Sequence, residues 1–369
     1  MKLIISHAYL VNGNIVESPT NTLVETLNSL GEHFLFIRHP MNGEFLSYCY
    51  EFNNGREVDR KVIRTIKSPF VIMYISQIIF TLTFFIFQRS TKRITCIGVN
   101  PLNAIIGLLL KKVGIVNKLI FYSTDYTKTR FNNKILNRIY DFIDKFVALH
   151  ADFVWSVSAR IQKQKKLIGV QESKNILVPN TPSNEFRKYI NYTKKKHSLV
   201  TLGVLGNQLD FYNFFDALNY LRKFFPDISL KVIGTGDKEN ELKNYVKKNN
   251  LDDIVFFLGF LSHGQALKEI ASSSVGLALY NGNWSFNYYG DSMKCREYFC
   301  FGLPVLTTDT HSTVIDIKEF SAGIVTDQNV DNYVNAIKDI FSDYEKYSKQ
   351  SYKLGRKYDQ IHKKLLSKK

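Results

Sequence analysis

Short apolar runs alternate with amphipathic stretches along the first half of the chain. The apolar runs predict strands at residues 3–9, 33–40, 95–100, 118–126, 152–159 and 174–180. Between them lie predicted helices at about 20–30, at 102–112 and from Asn132 onward, where apolar residues recur at helical spacing. Strands that alternate with helices are typical of an α/β fold with a parallel, doubly wound sheet.

A polar, basic stretch at 181–197 interrupts this pattern, and a second series follows it. Its predicted strands are residues 198–206, 228–236, 254–260, 275–280, 304–308 and 323–325. Its predicted helices are residues 211–224, 238–250, 264–272, 291–301, 329–341 and 343–366. A length of 369 residues also suits two cores. We therefore expect two Rossmann-like domains, 1–190 and 198–341, with ligands bound at the carboxyl ends of strands in the cleft between them.

Glycines lie at the ends of three predicted strands in the second half. Gly206 and Asn207 open the first turn, Gly234 lies in the second, and Gly259 with Phe260 ends the third strand. Backbone amides in such turns can approach phosphate oxygens closely, and the aromatic side chain can stack on a base. A glycine turn of this kind, taken alone, is more often purely structural.

The start of the predicted helix 291–301 is a stronger signal. Ser292, Met293 and Lys294 open the helix, and Glu297 follows Lys294 by three residues, which places both side chains on one face. Amides at a helix start and the charge of Lys294 suit a diphosphate, while carboxylates such as Glu297 bind ribose hydroxyls. A surface Lys–Glu pair is the alternative, and the glycine-ended strands nearby favour the nucleotide site.

The run SMKCREYFCFGLPVLTTD at 292–309 resembles the donor-binding signature of retaining, glycogen-synthase-like (family 4 type) GT-B glycosyltransferases of bacterial capsule and O-antigen synthesis. The similarity covers most of 198–327 and reaches the first half only in pattern. It implies a GT-B fold and a nucleoside-diphosphate sugar as donor. It assigns Lys294 to the departing diphosphate and Glu297 to the ribose. It also implies that a C-terminal helix, here 342–369, packs back on the N-terminal domain.

Two departures from that signature bear on the chemistry. Tyr289 stands eight residues before Glu297, where the family often has a glutamate that attends the donor sugar, and Asp291 is the nearest substitute. The Arg and Lys that often follow the first glycine of this domain are replaced by GNQLDFYNF at 206–214. Phosphate binding then depends more on Lys294 and on backbone amides. Whether the anomeric configuration is retained or inverted stays open.

The first half is expected to bind the acceptor. By the resemblance, a His or Asp after about the fourth strand contacts sugar or takes part in catalysis, and Asp125 in the loop YSTDY occupies that place. Asp125 is a candidate general base toward an acceptor hydroxyl, with a turn or cap role as the alternative. His7 and His39 lie near strand ends and are weaker candidates. Because the sequence has no His/Cys cluster and no Asp-x-Asp motif, we expect no metal and no cofactor besides the donor substrate.

The formal charge of +16 favours anionic partners such as diphosphates, anionic lipids or nucleic acid, with solubility alone as the alternative. We expect no nucleic-acid partner, because no such motif is present. Residues 68–88 carry no charge and are long enough to span a bilayer. Polar residues within them favour instead a helix that dips into the membrane interface. Bases that suit anionic headgroups flank this segment: Arg60, Lys61, Arg64, Lys67, Arg89, Lys92 and Arg93.

The four cysteines show no paired spacing, and the first residues, MKLIISHAYLVNG, contain too short an apolar run for a signal peptide. We therefore expect a cytoplasmic protein at the inner face of the plasma membrane. The expected activity is hexosyl transfer to a polyprenyl-linked or oligosaccharide acceptor in cell-surface polysaccharide synthesis. An inactive GT-B protein that partners an active transferase is the main alternative. The same fold would also serve an epimerase or a sugar-phosphate synthase.

Overall fold

The computed structural model describes residues 1–11, 14–16, 20–66, 70–88, 93–282 and 287–367. They form two compact units, Met1–Pro179 together with Ile361–Lys369, and Asn180–Gln360. Residues 180–190, predicted to belong to the first domain, lie in the second unit. Three of the bases predicted to flank segment 68–88 lie outside the described residues, namely Lys67, Arg89 and Lys92.

The first unit is built on a nine-stranded sheet. Its strands are β1 (Lys2–Val11), β2 (Asn14–Val16), β3 (Phe34–Pro40), β4 (Ser47–Asn53), β5 (Arg56–Ile63), β6 (Thr95–Val99), β7 (Lys118–Ser123), β8 (Phe153–Ser156) and β9 (Asn175–Leu177). Their order is β5-β4-β3-β1-β6-β7-β8-β9, with β2 paired to β1. Strands β3, β1, β6, β7, β8 and β9 are mutually parallel. The strand order reverses between β1 and β6, the position at which doubly wound sheets bind ligands.

This sheet is mixed rather than wholly parallel, because β4 and β5 form an antiparallel hairpin at one edge. The prediction of a parallel sheet is wrong in this respect. Every residue of β5 except the last is exposed, so no apolar alternation marks it as a strand. Charged, exposed edge strands also hinder pairing with other chains.

The helices of the first unit include α1 (Thr20–Ser29), α2 (Phe70–Gln88), α3 (Pro101–Lys112), α4 (Lys134–His150) and α5 (Ala159–Leu167). Helix α2 buries its polar side chains and exposes many apolar ones. Ser76, Gln77 and Thr81 are at most 4% exposed, whereas Ile75 and Ile79 are about half exposed. On length and composition, its stretch Phe70–Phe87 could cross a membrane.

The second unit contains a six-stranded sheet in which all neighbouring strands are parallel. Its strands are β10 (Ser198–Leu202), β11 (Ser229–Ile233), β12 (Val255–Gly259), β13 (Val275–Ala278), β14 (Val305–Thr308) and β15 (Gly323–Thr326). Their order, β12-β11-β10-β13-β14-β15, is that of a Rossmann fold. The order reverses between β10 and β13, which again marks the expected ligand position.

The helices of the second unit are α6 (Phe211–Leu221), α7 (Glu239–Lys248), α8 (His263–Ala271), α9 (Met293–Cys300), α10 (Val314–Phe320), α11 (Val330–Ser342) and α12 (Tyr344–Tyr358). A last helix, α13 (Ile361–Leu366), belongs to the first unit. The single helix predicted at 343–366 is therefore two. Helix α12 packs on α9, and α13 packs on α1. Thus only the end of the predicted 342–369 segment returns to the first unit.

Candidate functional site

Three strand ends of the second unit are joined by backbone hydrogen bonds. The amide of Gly203, directly after β10, donates to the Ile233 carbonyl at 3.0 Å, and the amide of Gly234 donates to the Gly259 carbonyl at 2.8 Å. A Cβ atom at Gly234 would lie 2.0 Å from the Gly203 carbonyl oxygen, so only glycine fits there. The glycines predicted at the ends of β11 and β12 therefore lie side by side.

The loop after β10 contains a glycine that the sequence motif did not indicate. A Cβ atom at Gly203 would lie 3.2 Å from Nζ of Lys294, so this glycine, rather than the predicted Gly206, lies against the lysine. Gly206 and Asn207 lie further along the same loop. Phe260, the aromatic residue after β12, is 61% exposed and accessible to a ligand.

Lys294 lies where the strand order of the second sheet reverses. Its Nζ is near Gly203 after β10 and 4.6 Å from the ring centroid of Tyr280, which follows β13. Within the described ranges, no carboxylate forms an ion pair with this ammonium. Burial lowers the pKa of Lys294 to about 8. A desolvated ammonium without an ion-pair partner is stabilised by a bound anion, and a phosphate supplies that charge.

The start of α9 adds hydrogen-bond donors beside Lys294. Ser292 is the N-cap, and its hydroxyl accepts from the Cys295 amide at 3.5 Å and bonds the Tyr280 hydroxyl at 3.0 Å. Met293 is the first residue of the helix. The amides of Met293 and Lys294 have no partner within the helix, as at every helix start, and the helix dipole favours an anion there.

Glu297, the predicted ribose ligand, is buried and held by His263. Its Oε1 lies 3.1 Å from Nε2 of His263, and Nδ1 of that ring lies 3.1 Å from Oε2 of Glu185. The hydrogen bond to Glu297 is the main reason that the pKa of His263 rises to about 9. The described residues make no hydrogen bond to Oε2 of Glu297, which is therefore available as an acceptor for a ligand hydroxyl.

His263 is a site residue that the sequence motifs miss. It is the first residue of α8, after a capping box formed by Ser262 and Gln265. The sequence feature that could have identified it is its position directly after the third strand of the domain, because loops at the carboxyl ends of parallel strands face the ligand.

Asp291, suggested above as a substitute for the missing glutamate, has a structural role. Its side chain is 1% exposed and pairs with Arg296 at 2.7 Å. It also accepts from the Thr313 hydroxyl at 2.8 Å and from the Asn180 amide at 2.9 Å. A carboxylate with both oxygens engaged in this way does not attend a donor sugar, so the suggested substitution is wrong.

The first unit has a cavity of about 280 Å³ at its own strand-order reversal. The ends of β1, β6 and β7 contribute to its wall together with residues of α2 and α4. Its polar lining includes His7, Asn100, Thr124, Asp125 and Arg130. This polar cavity therefore contains Asp125, the predicted general base.

Asp125 is about half exposed, and its carboxylate pairs with Arg130 at 2.5 Å. The preceding residue, Thr124, is fixed by Asn100, whose Oδ1 accepts from the Thr124 amide at 3.0 Å and its hydroxyl at 3.1 Å. Asn100 has φ 65° and ψ 164°, a conformation that is costly for a residue with a side chain. This strained residue thereby holds the loop that carries Asp125.

The two weaker histidine candidates differ in position. His7 lines the polar cavity, and its ring is oriented by Asn103, which donates to Nδ1 at 2.8 Å, and by Gln77, whose Oε1 lies 2.9 Å from Nε2. Burial lowers the pKa of His7 to about 4, which keeps the ring neutral. His39 is fully buried and bonds the Ser47 hydroxyl at 2.8 Å, so it belongs to the core.

Comparisons with known proteins point to one family. Residues 182–357 match the family described as glycosyl transferases group 1. An uncharacterized glycosyltransferase of Haemophilus influenzae is 25% identical over 187 residues, covering 48% of this chain and 48% of that protein. The O-antigen biosynthesis glycosyltransferase WbnH of Escherichia coli is 24% identical over 297 residues, covering 78% of this chain and 80% of that protein. The matched part thus spans about half the length of the first relative.

Solved structures share the fold of the whole chain. The Anabaena protein HepE, solved in complex with UDP, aligns with a TM-score of 0.66 at 12% identity and covers 100% of both chains. At that identity the likeness shows the fold, which is the GT-B pairing of two Rossmann-like domains. The chain therefore has the GT-B fold, and its residues 182–357 match the glycosyl transferases group 1 family.

Proposed function

We propose that this protein transfers a hexosyl group from a nucleoside-diphosphate sugar to an acceptor hydroxyl, with the donor bound by the second unit and the acceptor by the first. The observation that carries the proposal is Lys294. Its ammonium has no carboxylate partner among the described residues and lies beside Gly203 at the strand-order reversal of a Rossmann sheet. The UDP bound to HepE supports the same class of ligand.

The donor diphosphate is proposed to lie between Lys294, the loop after β10 and the start of α9. Positive charge and oriented amides there would stabilise the negative charge that develops as the sugar–phosphate bond breaks. The free oxygen of Glu297 would bind ribose. We expect no metal ion in this step, and no three His, Cys, Asp or Glu side chains of the described residues cluster to hold one.

The acceptor hydroxyl is proposed to enter the polar cavity of the first unit. Asp125 would accept its proton, while the Asn100–Thr124 contact keeps the loop in place. His7 is neutral, and both of its nitrogens are hydrogen-bonded, so its role would be to shape the cavity rather than to transfer a proton.

The acceptor is proposed to be a lipid-linked precursor of a cell-surface polysaccharide, reached from the cytoplasmic face of the plasma membrane. Helix α2 supports this proposal, because it packs through buried polar residues and exposes isoleucines. Such a helix suits the membrane interface better than a span surrounded by lipid. The charge of +16 suits an anionic surface. The name of WbnH, an O-antigen biosynthesis enzyme, agrees with the acceptor class.

A second candidate is a catalytically inactive GT-B protein that assists an active transferase. The observation that favours it is the engagement of Asp291 by Arg296, together with Tyr289 at the position of the family glutamate. Asp291 then does not take the place of that glutamate at the donor sugar.

Both candidates are tested by incubating the purified protein and membranes with a panel of nucleotide sugars. We expect one donor to raise the thermal midpoint, since it binds only the folded state, and to release nucleoside diphosphate when membranes are present. Lys294→Met and Glu297→Gln should abolish the shift, and Lys247→Met, on the exposed face of α7, should preserve it. A shift without release would support the inactive partner. The absence of any shift would contradict the proposed donor site.

A further inference from the structure

The first unit contains an apolar groove that the proposed chemistry does not use. It is a cavity of about 250 Å³ between α2 and α4. Val71, Ile75 and Ile78 of α2 face Ile139 and Ile143 of α4 across it. Its lining is almost wholly apolar, so water inside it gains few hydrogen bonds and a hydrocarbon would displace that water favourably.

This groove adjoins the polar cavity that contains Asp125. Five side chains line both spaces, namely Phe70, Tyr74, Leu102, Phe131 and Tyr140. A ligand that fills both must therefore be an amphiphile, with a hydroxyl-bearing head on one side of these residues and a hydrocarbon chain on the other.

The polar cavity also retains hydrogen-bonding capacity for a head group. Nε of Arg130 is buried and has no hydrogen-bond partner among the described residues. The carboxylate of Asp125 and the guanidinium of Arg130 neutralise each other, so these two side chains add no net charge. Hydroxyls, which both donate and accept, match such a lining.

The walls of the groove are accessible from outside. Val71 and Ile75 on α2 and Ile139 on α4 are 45–50% exposed. Contiguous apolar surface of this kind marks an interaction site. Because the groove is a narrow space between two helices and shares a wall with the polar cavity, a single hydrocarbon chain fits it better than a protein surface does.

We propose that the groove between α2 and α4 binds the hydrocarbon chain of the lipid acceptor while the acceptor head occupies the polar cavity beside Asp125. This assignment rests on the proposed function in taking the first unit as the acceptor-binding part and the acceptor as lipid-linked. It predicts that chain length, and not merely the presence of a membrane, sets acceptor affinity.

The test uses n-alkyl β-glucosides with chains of six to twelve carbons, below their micelle concentrations, in calorimetric titrations. Affinity should rise about fourfold for each methylene that enters the groove and then level off. Ile139→Asn, in the groove, should flatten this dependence. Ile135→Asn is the matched control, because it makes the same change one turn earlier on α4, at a side chain that is 67% exposed and does not line the groove.

An equal chain-length dependence in the wild type and in Ile139→Asn would place the chain elsewhere and overturn the proposal, as would an affinity independent of chain length. Thermal midpoints of both variants check their folding. The nucleotide-sugar shift is measured on the same samples. If the nucleotide sugar raises the thermal midpoint normally but affinity does not depend on chain length, only the groove assignment is contradicted. If affinity depends on chain length but the nucleotide sugar leaves the midpoint unchanged, only the donor site is contradicted.

Discussion

In both units the candidate site lies where the strand order of the sheet reverses, but the kinds of residues that form it differ. In the second unit, the reversal between β10 and β13 is occupied by Lys294, glycine turns and the start of α9. In the first unit, the reversal between β1 and β6 opens into a cavity lined by side chains from widely separated elements, including Asp125 and His7.

The difference follows from what each site is proposed to bind. A diphosphate is recognised largely by backbone amides and one cation, which requires glycines and a helix start at fixed local spacing. An acceptor hydroxyl is recognised by side chains, which can come from any strand end that reaches the cavity. Recognition by the backbone therefore leaves a motif in the sequence, and recognition by side chains leaves almost none.

The largest expected effect is on the rate of transfer and comes from the donor site of the second unit. Lys294→Met should lower kcat/KM by about 10³-fold, because it removes the only full charge proposed to act on the departing diphosphate. The measurement is release of nucleoside diphosphate with membranes as acceptor. Lys247→Met serves as the control for loss of a surface charge. A loss of only twofold would mean that the amides of α9 suffice and that Lys294 is not a catalytic residue.

The next effect concerns the first unit. Asp125→Asn keeps an acceptor for the Arg130 hydrogen bond but removes the proposed base, so the transfer rate should fall about 10²-fold. Donor binding, followed by the thermal shift with nucleotide sugar, should not change. Asp141→Asn, on the exposed face of α4, is the matched control. If Asp125→Asn retains the wild-type rate, its carboxylate only orders the loop.

The sequence predicts the parallel strands of both units well, since buried parallel strands are short continuous apolar runs. The hydrophobic pattern mispredicts a strand when the strand is exposed or when a turn interrupts an apolar run. Strand β5 is exposed and charged, so no pattern reveals it. The run SLVTLGVLG predicts a strand to residue 206, yet β10 ends at Leu202 and Val204 is 64% exposed. Because of that early turn, the sequence pattern indicates Gly206 and does not indicate Gly203, which lies against Lys294.

The interactions that hold Glu297 are beyond the reach of sequence patterns for another reason. Glu185, His263 and Glu297 are joined only by the tertiary fold, at sequence separations of 34 and 78 residues. The spacing of Lys294 and Glu297 predicts that they share a helix face. It does not predict that the glutamate is already paired with a histidine.

A glycine exchange can decide which turn approaches the diphosphate. Gly203→Ala should weaken UDP binding about tenfold, because φ at this residue is 141° and the new methyl would lie 3.2 Å from Nζ of Lys294. Gly206→Ala is the matched control, since φ at Gly206 is not in the left-handed region and the new methyl would meet only side-chain atoms, those of Gln208 at 2.5 Å and of Asp237 at 3.2 Å. If both variants lose the same affinity for UDP in calorimetric titrations, the phosphate binds further along the loop than Gly203.

The smallest expected effect concerns the His263–Glu297 pair. The pKa of His263 is raised from 6.5 to about 9 in the folded protein, so its contribution to stability is fully present below pH 6.5 and is lost as the pH rises through about 9. Because the ring is nearly half exposed, solvent screening limits that contribution to about 0.5 kcal/mol. His263→Gln keeps a hydrogen-bonding side chain and removes the charge.

The free energy of unfolding from urea titrations should therefore be lower for His263→Gln than for the wild type at pH 6, and the two should agree at pH 10. Other groups that titrate in this window, including Lys294, are common to both proteins and cancel in the difference. A difference that is independent of pH would show that the imidazole holds Glu297 through packing rather than charge. The donor site would then resemble the cavity of the first unit, in which neutral His7 is proposed only to shape the lining.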